Sequence, residues 1–273
     1  MPACVLGKCG VLEILPINEI LTRLVKGTEA KLLASIIRSA KPVFRTVKFT
    51  TLAYIPWIDG IGRWATVRVR RLLRLPHQKS YSVVVDLPDG LYLDVGANNG
   101  QSIESIRLFK PDARIVAFEI NPPLAAKIRE RYPDVDVHDV GLGDTSGNRL
   151  LHVPSWGGYE FSANASLDNR VAQRFLRKRV KTLRPGVVKQ IDVEIRTLDS
   201  FNLAPVFIKI DVEGAERQVI MGALKTLRRH RPTLLIERGE QVLDLLVDFG
   251  YRLQRLEGTY DTVLVADHGT RSD

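Results

Sequence analysis

Cysteine is almost missing: the 273-residue chain has two, Cys4 and Cys9, and no metal-like Cys/His spacing. That excludes a disulfide framework and points to a reducing, cytoplasmic setting. No apolar run reaches the roughly 18 residues of a membrane span. Residues 1–24 have neither a basic start nor a small-residue cleavage pattern, so no secretory signal is read there. Two common nucleotide signatures are missing as well. Gln101 stands where a phosphate-gripping P-loop needs lysine, and Asn98 stands where a dinucleotide fingerprint needs its second glycine.

What is present is LYLDVGANNG at 91–100. Leu91, Leu93 and Val95 alternate as in a strand, Gly96 and Gly100 bracket a turn, and a helical run starts near Gln101. A strand, a glycine turn and a helix start form a nucleotide pocket, because glycine lets a ligand approach the backbone and the first helical N–H groups point outward. Asp94 narrows the ligand. An acid beside the turn repels a pyrophosphate but suits a cationic ligand such as the sulfonium of S-adenosylmethionine. The alternative is an Asp that only caps the following helix.

The pattern then repeats. A helix to Phe109 ends at Lys-Pro-Asp, and ARIVAFEINP (113–122) is a buried strand finishing at Glu119. LAAKIRERY (124–132) is a helix opened by Pro122 and Pro123, and VDVHDVGLGD (135–144) is a third strand and turn. This β-α-β-α-β order builds a parallel sheet with ligands at the strands' C-terminal ends. Glu119 lies where an acid accepts hydrogen bonds from ribose hydroxyls. Further on, LLHV (150–153) and QIDVEI (190–195) read as strands around a loop at 155–169 and a basic helical run at 171–181. APVFIKIDVEGAE (204–216) carries a fourth buried strand ending at Asp211, followed by one continuous helix. PTLLIE (232–237) is a fifth strand ending at Glu237, 240–250 a helix, and 251–267 a hairpin turning near Gly258. Seven strands with a reversed last hairpin describe an α/β fold, the class I methyltransferase Rossmann-like sheet.

Charge is unevenly placed. Residues 1–90 hold 14 Lys and Arg against 6 Asp and Glu, so nearly all of the net charge of +9 lies ahead of the glycine turn. Lys31, Arg38, Lys41, Arg45 and Lys48, then Arg63, Arg68, Arg70, Arg71 and Arg74, are interleaved with apolar residues. Residues 1–80 therefore read as a basic, mostly helical extension, and 81–273 as the catalytic domain. Basic amphipathic stretches within 31–75 suit peripheral contact with an anionic membrane, here the inner face, or a solvated helical face packed on the main domain.

Six segments together resemble a known family. DVGANNG (94–100), FEINP (118–122), GLGDTSG (141–147), Ser-Leu (166–167), RTLDSF (196–201) and KIDVEGAE (209–216) are similar to the FkbM-type S-adenosylmethionine-dependent methyltransferases over about 83–266. Asn99 stands where Ile is usual, Ile120 where Pro is frequent, and Gly141 where Ala is usual, which should open space beside an adenine. The resemblance implies that Asp94, Gly96, Asn98 and Gly100 line the methionine end of the cofactor and Glu119 its ribose. Asn121 assists, and Asp139 reads the adenine edge. It also implies O-methylation of a sugar, glycolipid or secondary-metabolite hydroxyl.

An alcohol acceptor must lose its proton during attack, so a base helps. Asp211 is the first candidate. Glu213 and Glu237 can share the proton or, with Asp211, hold a divalent ion, although no metal motif indicates one. Glu213 and Glu216 are equally read as helix-start acids favoured by the dipole. His138, His152 and His230 are weaker candidates, since none sits in a motif. NPPL (121–124) is close to the motif of amino-group methyltransferases acting on bases, but it follows the second strand and lacks the aromatic, which speaks against a nucleic-acid substrate. The rivals are an RNA or protein methyltransferase using the basic N-terminus, and a non-catalytic module that keeps the fold.

Overall fold

The structure is a computed structural model that describes residues 76–179, 186–256, 259 and 261–266. The basic stretches at 31–49 and 63–74, both cysteines, the end of the run at 171–181 and the turn near Gly258 lie outside these residues.

Four parallel strands form the centre: β1 (Leu91–Val95), β2 (Arg114–Phe118), and, after the intervening segments, β8 (Pro205–Ile210) and β9 (Thr233–Glu237). With β3 (Asp136–His138), β10 (Tyr251–Gln254) and β11 (Asp261–Ala266) they make a seven-stranded sheet in the order β10-β11-β9-β8-β1-β2-β3. Only β11 runs against its neighbours. This is the class I methyltransferase arrangement expected from the sequence. Side chains alternate across the strands, so one face buries Leu93, Phe118, Ile208 and Ile236 and the other buries Tyr92, Ala117, Phe207 and Leu235. Both faces are covered, which is why these strands read as nearly continuous apolar runs. Helices α1 (Gln101–Phe109) and α2 (Pro122–Arg131) follow β1 and β2.

A second sheet stands beside the first, in the order β4 (Gly141–Leu142), β7 (Val187–Arg196), β5 (Gly147–Trp156), β6 (Tyr159–Glu160). The third strand expected over 135–144 is thus two pieces, because the chain leaves the main sheet after His138 and pairs Gly141 with Ile195 instead. The short strands expected at 150–153 and 190–195 are longer, and pair antiparallel from Gly147↔Ile195 to Ser155↔Val187. The loop expected at 155–169 contains β6 and leads to α3 (Asn169–Arg179).

Two helices differ from expectation. The run from Glu216 breaks into α4 (Glu216–Met221) and α5 (Leu224–His230). The Asp199 carboxylate accepts the Lys225 and Thr226 N–H groups at 3.0 and 2.8 Å and the Thr226 hydroxyl at 2.8 Å, capping a new helix start. At the break, a Cβ on Gly222 would lie 1.9 Å from the Gly143 carbonyl oxygen, so only glycine permits this backbone approach. The helix expected over 240–250 is a short α-helical piece, α6 (Leu243–Leu246), between 3-10 turns, closed by Gly250 at φ +74°.

The chain entering the sheet is anchored before β1. The His77 N–H donates to Ser105 Oγ at 2.8 Å, the Ser80 hydroxyl donates to Asp261, and Tyr81 is buried on a 3-10 turn spanning Lys79–Asp86. Among the described residues no helix is long and apolar enough to cross a membrane.

Asp199→Ala should lower the free energy of unfolding by about 1–2 kcal/mol, the usual cost of a lost helix cap. Asp199→Asn should lose less, because its amide oxygen still accepts. Urea unfolding followed by circular dichroism measures both, and an unchanged midpoint for the alanine variant would show that α5 begins without this cap.

Candidate active site

The glycine turn after β1 is held by backbone geometry that the sequence dictates. The Gly96 and Ala97 N–H groups donate to the Phe118 carbonyl at 2.9 and 3.2 Å, which bends the chain over the end of β2. Gly96 has φ +78°, and a Cβ there would stand 1.9 Å from the Asp211 carbonyl oxygen, so no side chain fits. Asn98 follows in the left-handed region at φ +51°.

This turn, the ends of β2 and β8, and the segment Ser162–Leu167 surround a cleft of about 680 Å³. Glu119 lies in its wall and is buried. One carboxylate oxygen accepts the Asn98 N–H at 2.6 Å and the other accepts the Asn121 N–H at 2.9 Å. Each oxygen keeps further accepting capacity. Burial raises the Glu119 pKa, against the lowering effect of these two N–H groups and of Lys209. Asn121, at the start of α2, lines the same cleft and is buried, yet among the described residues neither its Nδ2 nor its Oδ1 has a partner. An amide left so costs about 1–3 kcal/mol unless something supplies both a donor and an acceptor. Phe118, Ile120, Leu142 and Leu151 give the cleft an apolar side.

Gly96, Asn98, Glu119 and Asn121 therefore line one cleft, and three other residues singled out in the sequence do not. Asp94 is fully buried, accepts a hydrogen bond from the Ser102 hydroxyl, and lies 3.1 Å from the Lys209 ammonium. Its carboxylate faces the protein interior because Lys209 is its register partner on β8. Gly100, at φ +76°, packs against the Tyr132 ring, where a Cβ would approach to 2.5 Å. Asp139, directly after β3, turns outward toward Arg129 on α2. Its side chain is 52% exposed and pairs with Arg129 at 2.8 Å, a hydrogen bond that lowers its pKa. Val140, Gly141 and Leu142 line the cleft instead.

The space expected at Gly141 is filled. A Cβ there would lie 2.6 Å from both Ile120 Cδ1 and Ile195 Cδ1, so the longer Ile120 side chain occupies the volume that the missing methyl leaves. These two departures from the family pattern compensate each other.

Lys209 is the residue that sequence reasoning passed over. It is buried in PVFIKI, donates to the Gly96 carbonyl at 2.7 Å, and lies 3.8 Å from Asp211. Burial alone would lower its pKa, but Asp94, Asp211 and Glu119 outweigh it and raise the value. The available signal was a lysine in an otherwise apolar buried strand, which requires a carboxylate partner.

Asp211, Glu213 and Glu237 converge at the ends of β8 and β9, with carboxylate atoms within 4.8 Å of one another, close enough to share a proton or a cation. A hydrogen bond donated to Asp211, then burial and the charges of Asp211 and Glu213, push the Glu237 pKa up to about 7. Burial, then the Asp211 charge, raises that of Glu213, which sits at φ +54°. Glu216 has a different position: it is buried, accepts the Gly214 N–H at 3.0 Å and closes the turn before α4. A second cavity of about 460 Å³ shares Gly96, Asn98 and Asp211 with the cleft and is otherwise bounded by groups including Gln78, Gln101, Glu237 and Asp261. Neither His138, His152 nor His230 lines either cavity. His138 instead stacks on Phe118 with centroids 5.2 Å apart.

The sequence pattern of the methyltransferase FkbM domain matches residues 94–253. The 2-O-methyltransferase NoeI of Sinorhizobium fredii (strain NBRC 101917 / NGR234) is 28% identical over 201 residues, covering 67% of this chain and 81% of that protein. The AMB antimetabolite synthetase AmbE of Pseudomonas aeruginosa is 27% identical over 215 residues, covering 63% of this chain but 10% of that protein. The crystal structure of an FkbM methyltransferase from Methylobacillus flagellatus KT aligns with a TM-score of 0.42 at 20% identity, covering 64% of this chain and 43% of that one. With more than half of its length matched by the family pattern, the chain belongs to the FkbM family of S-adenosylmethionine-dependent methyltransferases.

Proposed function

We propose that the enzyme transfers a methyl group from S-adenosylmethionine to a hydroxyl of a sugar, glycolipid or secondary metabolite. The observation that carries this reading is the position of Asp211, on the wall shared by two cavities and with its carboxylate within 4.8 Å of those of Glu213 and Glu237. NoeI, named as a 2-O-methyltransferase, supports oxygen as the acceptor atom.

The larger cleft suits an adenosyl group. Glu119 offers charged acceptors for the ribose hydroxyls, the unpartnered Asn121 amide offers both a donor and an acceptor, and the apolar wall from Phe118 to Leu151 suits a flat ring. Gly96 and Asn98 keep the turn low enough for close approach. When bound, S-adenosylmethionine supplies an electrophilic methyl on a sulfonium. The protein's own contribution is alignment of the acceptor and removal of its proton, effects that account for much of such a rate enhancement. We assign the smaller, polar cavity to the acceptor and Asp211 to its hydroxyl. Glu237 keeps a proton below about pH 7 and donates it to Asp211. Losing that proton as pH rises leaves the Asp211 carboxylate free to take the proton of the acceptor hydroxyl, with Glu213 adding negative charge nearby.

The acidic lining of the smaller cavity disfavours a phosphate beside the reacting atom, which weighs against an RNA acceptor, and the NPPL segment opens α2 rather than following β8. Intact Glu119, Asn121 and Asp211 weigh against a non-catalytic module. The charge of residues 31–75 supports peripheral contact with the inner membrane face of a cytoplasmic enzyme.

Incubating the protein with cofactor labelled in its methyl group and with glycan, lipid and RNA fractions tests the acceptor class. Label in base-stable, ether-linked carbohydrate is the expected result, and label confined to RNA overturns it. Glu119→Ala should weaken S-adenosylmethionine binding by at least ~1.5 kcal/mol, more than tenfold in Kd, because a charged acceptor is lost. Calorimetry on the folded variant checks this, and unchanged affinity removes Glu119 from the cofactor site. Turnover should rise as pH passes through about 7, and Glu237→Gln, which cannot ionise, should abolish that step while leaving cofactor affinity intact. A variant that retains the same step shows that another group titrates.

A further inference from the structure

Helix α3 leads directly out of the segment Ser162–Leu167 that walls the cleft, yet nothing in the proposed chemistry uses it. Ala172 and Leu176 are its buried residues. Its opposite face carries Arg170, Arg174 and Lys178 at i, i+4 and i+8, with Arg177 beside them, and the helix has no acidic residue. Like charges at i, i+4 spacing weaken a helix. The helix dipole accounts for cations in the last turn but opposes Arg170 and Arg174 nearer the start. Arg170 pairs with Asp168 at 2.9 Å, whereas Arg174, Arg177 and Lys178 have no ion-pair partner among the described residues.

Apolar groups border this stripe. Val171 is 45% exposed and lies next to Lys178 around the helix, and Val187 at the start of β7 is 63% exposed beside Arg177. Phe175, on the same side as Val171, is half-buried and meets Phe161 edge to face at a centroid distance of 5.2 Å, and Phe161 in turn meets Tyr159 at 5.1 Å. Cations flanked by exposed valines and half-buried aromatics match the chemistry of a helix lying in the headgroup layer of a bilayer.

We propose that α3 docks the enzyme on an anionic lipid surface, with Arg174, Arg177 and Lys178 at the headgroups and Val171 beside the acyl boundary. Leu167 is three residues from Arg170, so the docked helix places the cleft wall within about 10 Å of chain from the surface. An acceptor carried on a lipid would then reach the cleft without leaving the membrane plane. The docking itself does not depend on which hydroxyl is methylated.

The test is cosedimentation of the full chain with vesicles of phosphatidylcholine alone and of phosphatidylcholine with phosphatidylglycerol. Each cation at such a surface strengthens binding by about fivefold, so the triple variant Arg174→Gln, Arg177→Gln, Lys178→Gln should bind the anionic vesicles roughly 100-fold more weakly at low salt. Binding of the parent should fade as salt rises and be absent from neutral vesicles. All three positions are exposed, and unchanged S-adenosylmethionine affinity by calorimetry would show that the variant is folded. Equal vesicle binding by parent and variant overturns the proposal, because residues outside α3 would then carry the whole interaction. A variant that loses affinity for a single-stranded RNA but keeps its affinity for vesicles overturns it too.

Discussion

Lys209 and Asp94 face each other in register across β8 and β1, and the turn that shapes the active site is built on that pair. The ammonium also donates to the Gly96 carbonyl, so one buried cation ties together the central strand, its neighbour and the start of the turn. Breaking such a pair from one side leaves an uncompensated buried charge and costs about 3–5 kcal/mol. The turn cannot relax outward either, since Gly96 lies against the Asp211 backbone and its N–H donates to the Phe118 carbonyl. Asp211 inherits its place from the same construction: its own N–H donates to the Val95 carbonyl at 3.1 Å, and its carboxylate lies beside Lys209. The cation that neutralises Asp94 inside the protein is therefore also the one nearest the proposed base.

The central sheet was legible because its strands are buried on both faces and bounded by glycine turns, so apolar runs such as RIVAF and PVFIKI have no competing interpretation. Glu119 and Asn121 were legible for the same reason, standing directly after such a strand. What escaped depended on contacts distant in sequence. No local pattern separates ERQVIM from LKTLRRH, since the break between them is made by the Asp199 side chain and by the close approach of Gly143. Asp139 stands just past the end of β3 as Glu119 stands just past β2, but its carboxylate pairs with Arg129 on α2 and does not line the cleft. Asp94 was identified as an important acid, but its partner is a lysine 115 positions away in sequence, as the numbering shows, and its carboxylate never reaches the cleft.

The carboxylates around Asp211 illustrate how environment divides roles among similar side chains. Glu216 is consumed by a turn, Glu213 is partly desolvated on a strained backbone, and Glu237 gains a proton from its closeness to Asp211. Two of these acids, Glu213 and Glu237, thus have raised proton affinities, a common device for running proton transfer near neutral pH. Their order in the sequence, DVEGAE followed by a strand-end glutamate, hides these differences.

The second sheet has a consequence of another kind. Its long hairpin leaves the main body at Gly147 and returns at Arg196, and these ends lie side by side, since Gly147 and Gly141 both pair with Ile195. Everything between them, including the wall segment Ser162–Leu167 and α3, belongs to one closed excursion, while Gly96, Glu119 and Asn121 belong to the parallel sheet and its turns. An excursion with adjacent ends is an exchangeable cassette: lineages can lengthen, trim or recharge it without rethreading the sheet. The cleft wall and α3 can therefore change in length or charge while the parallel sheet that carries Gly96, Glu119 and Asn121 keeps its register.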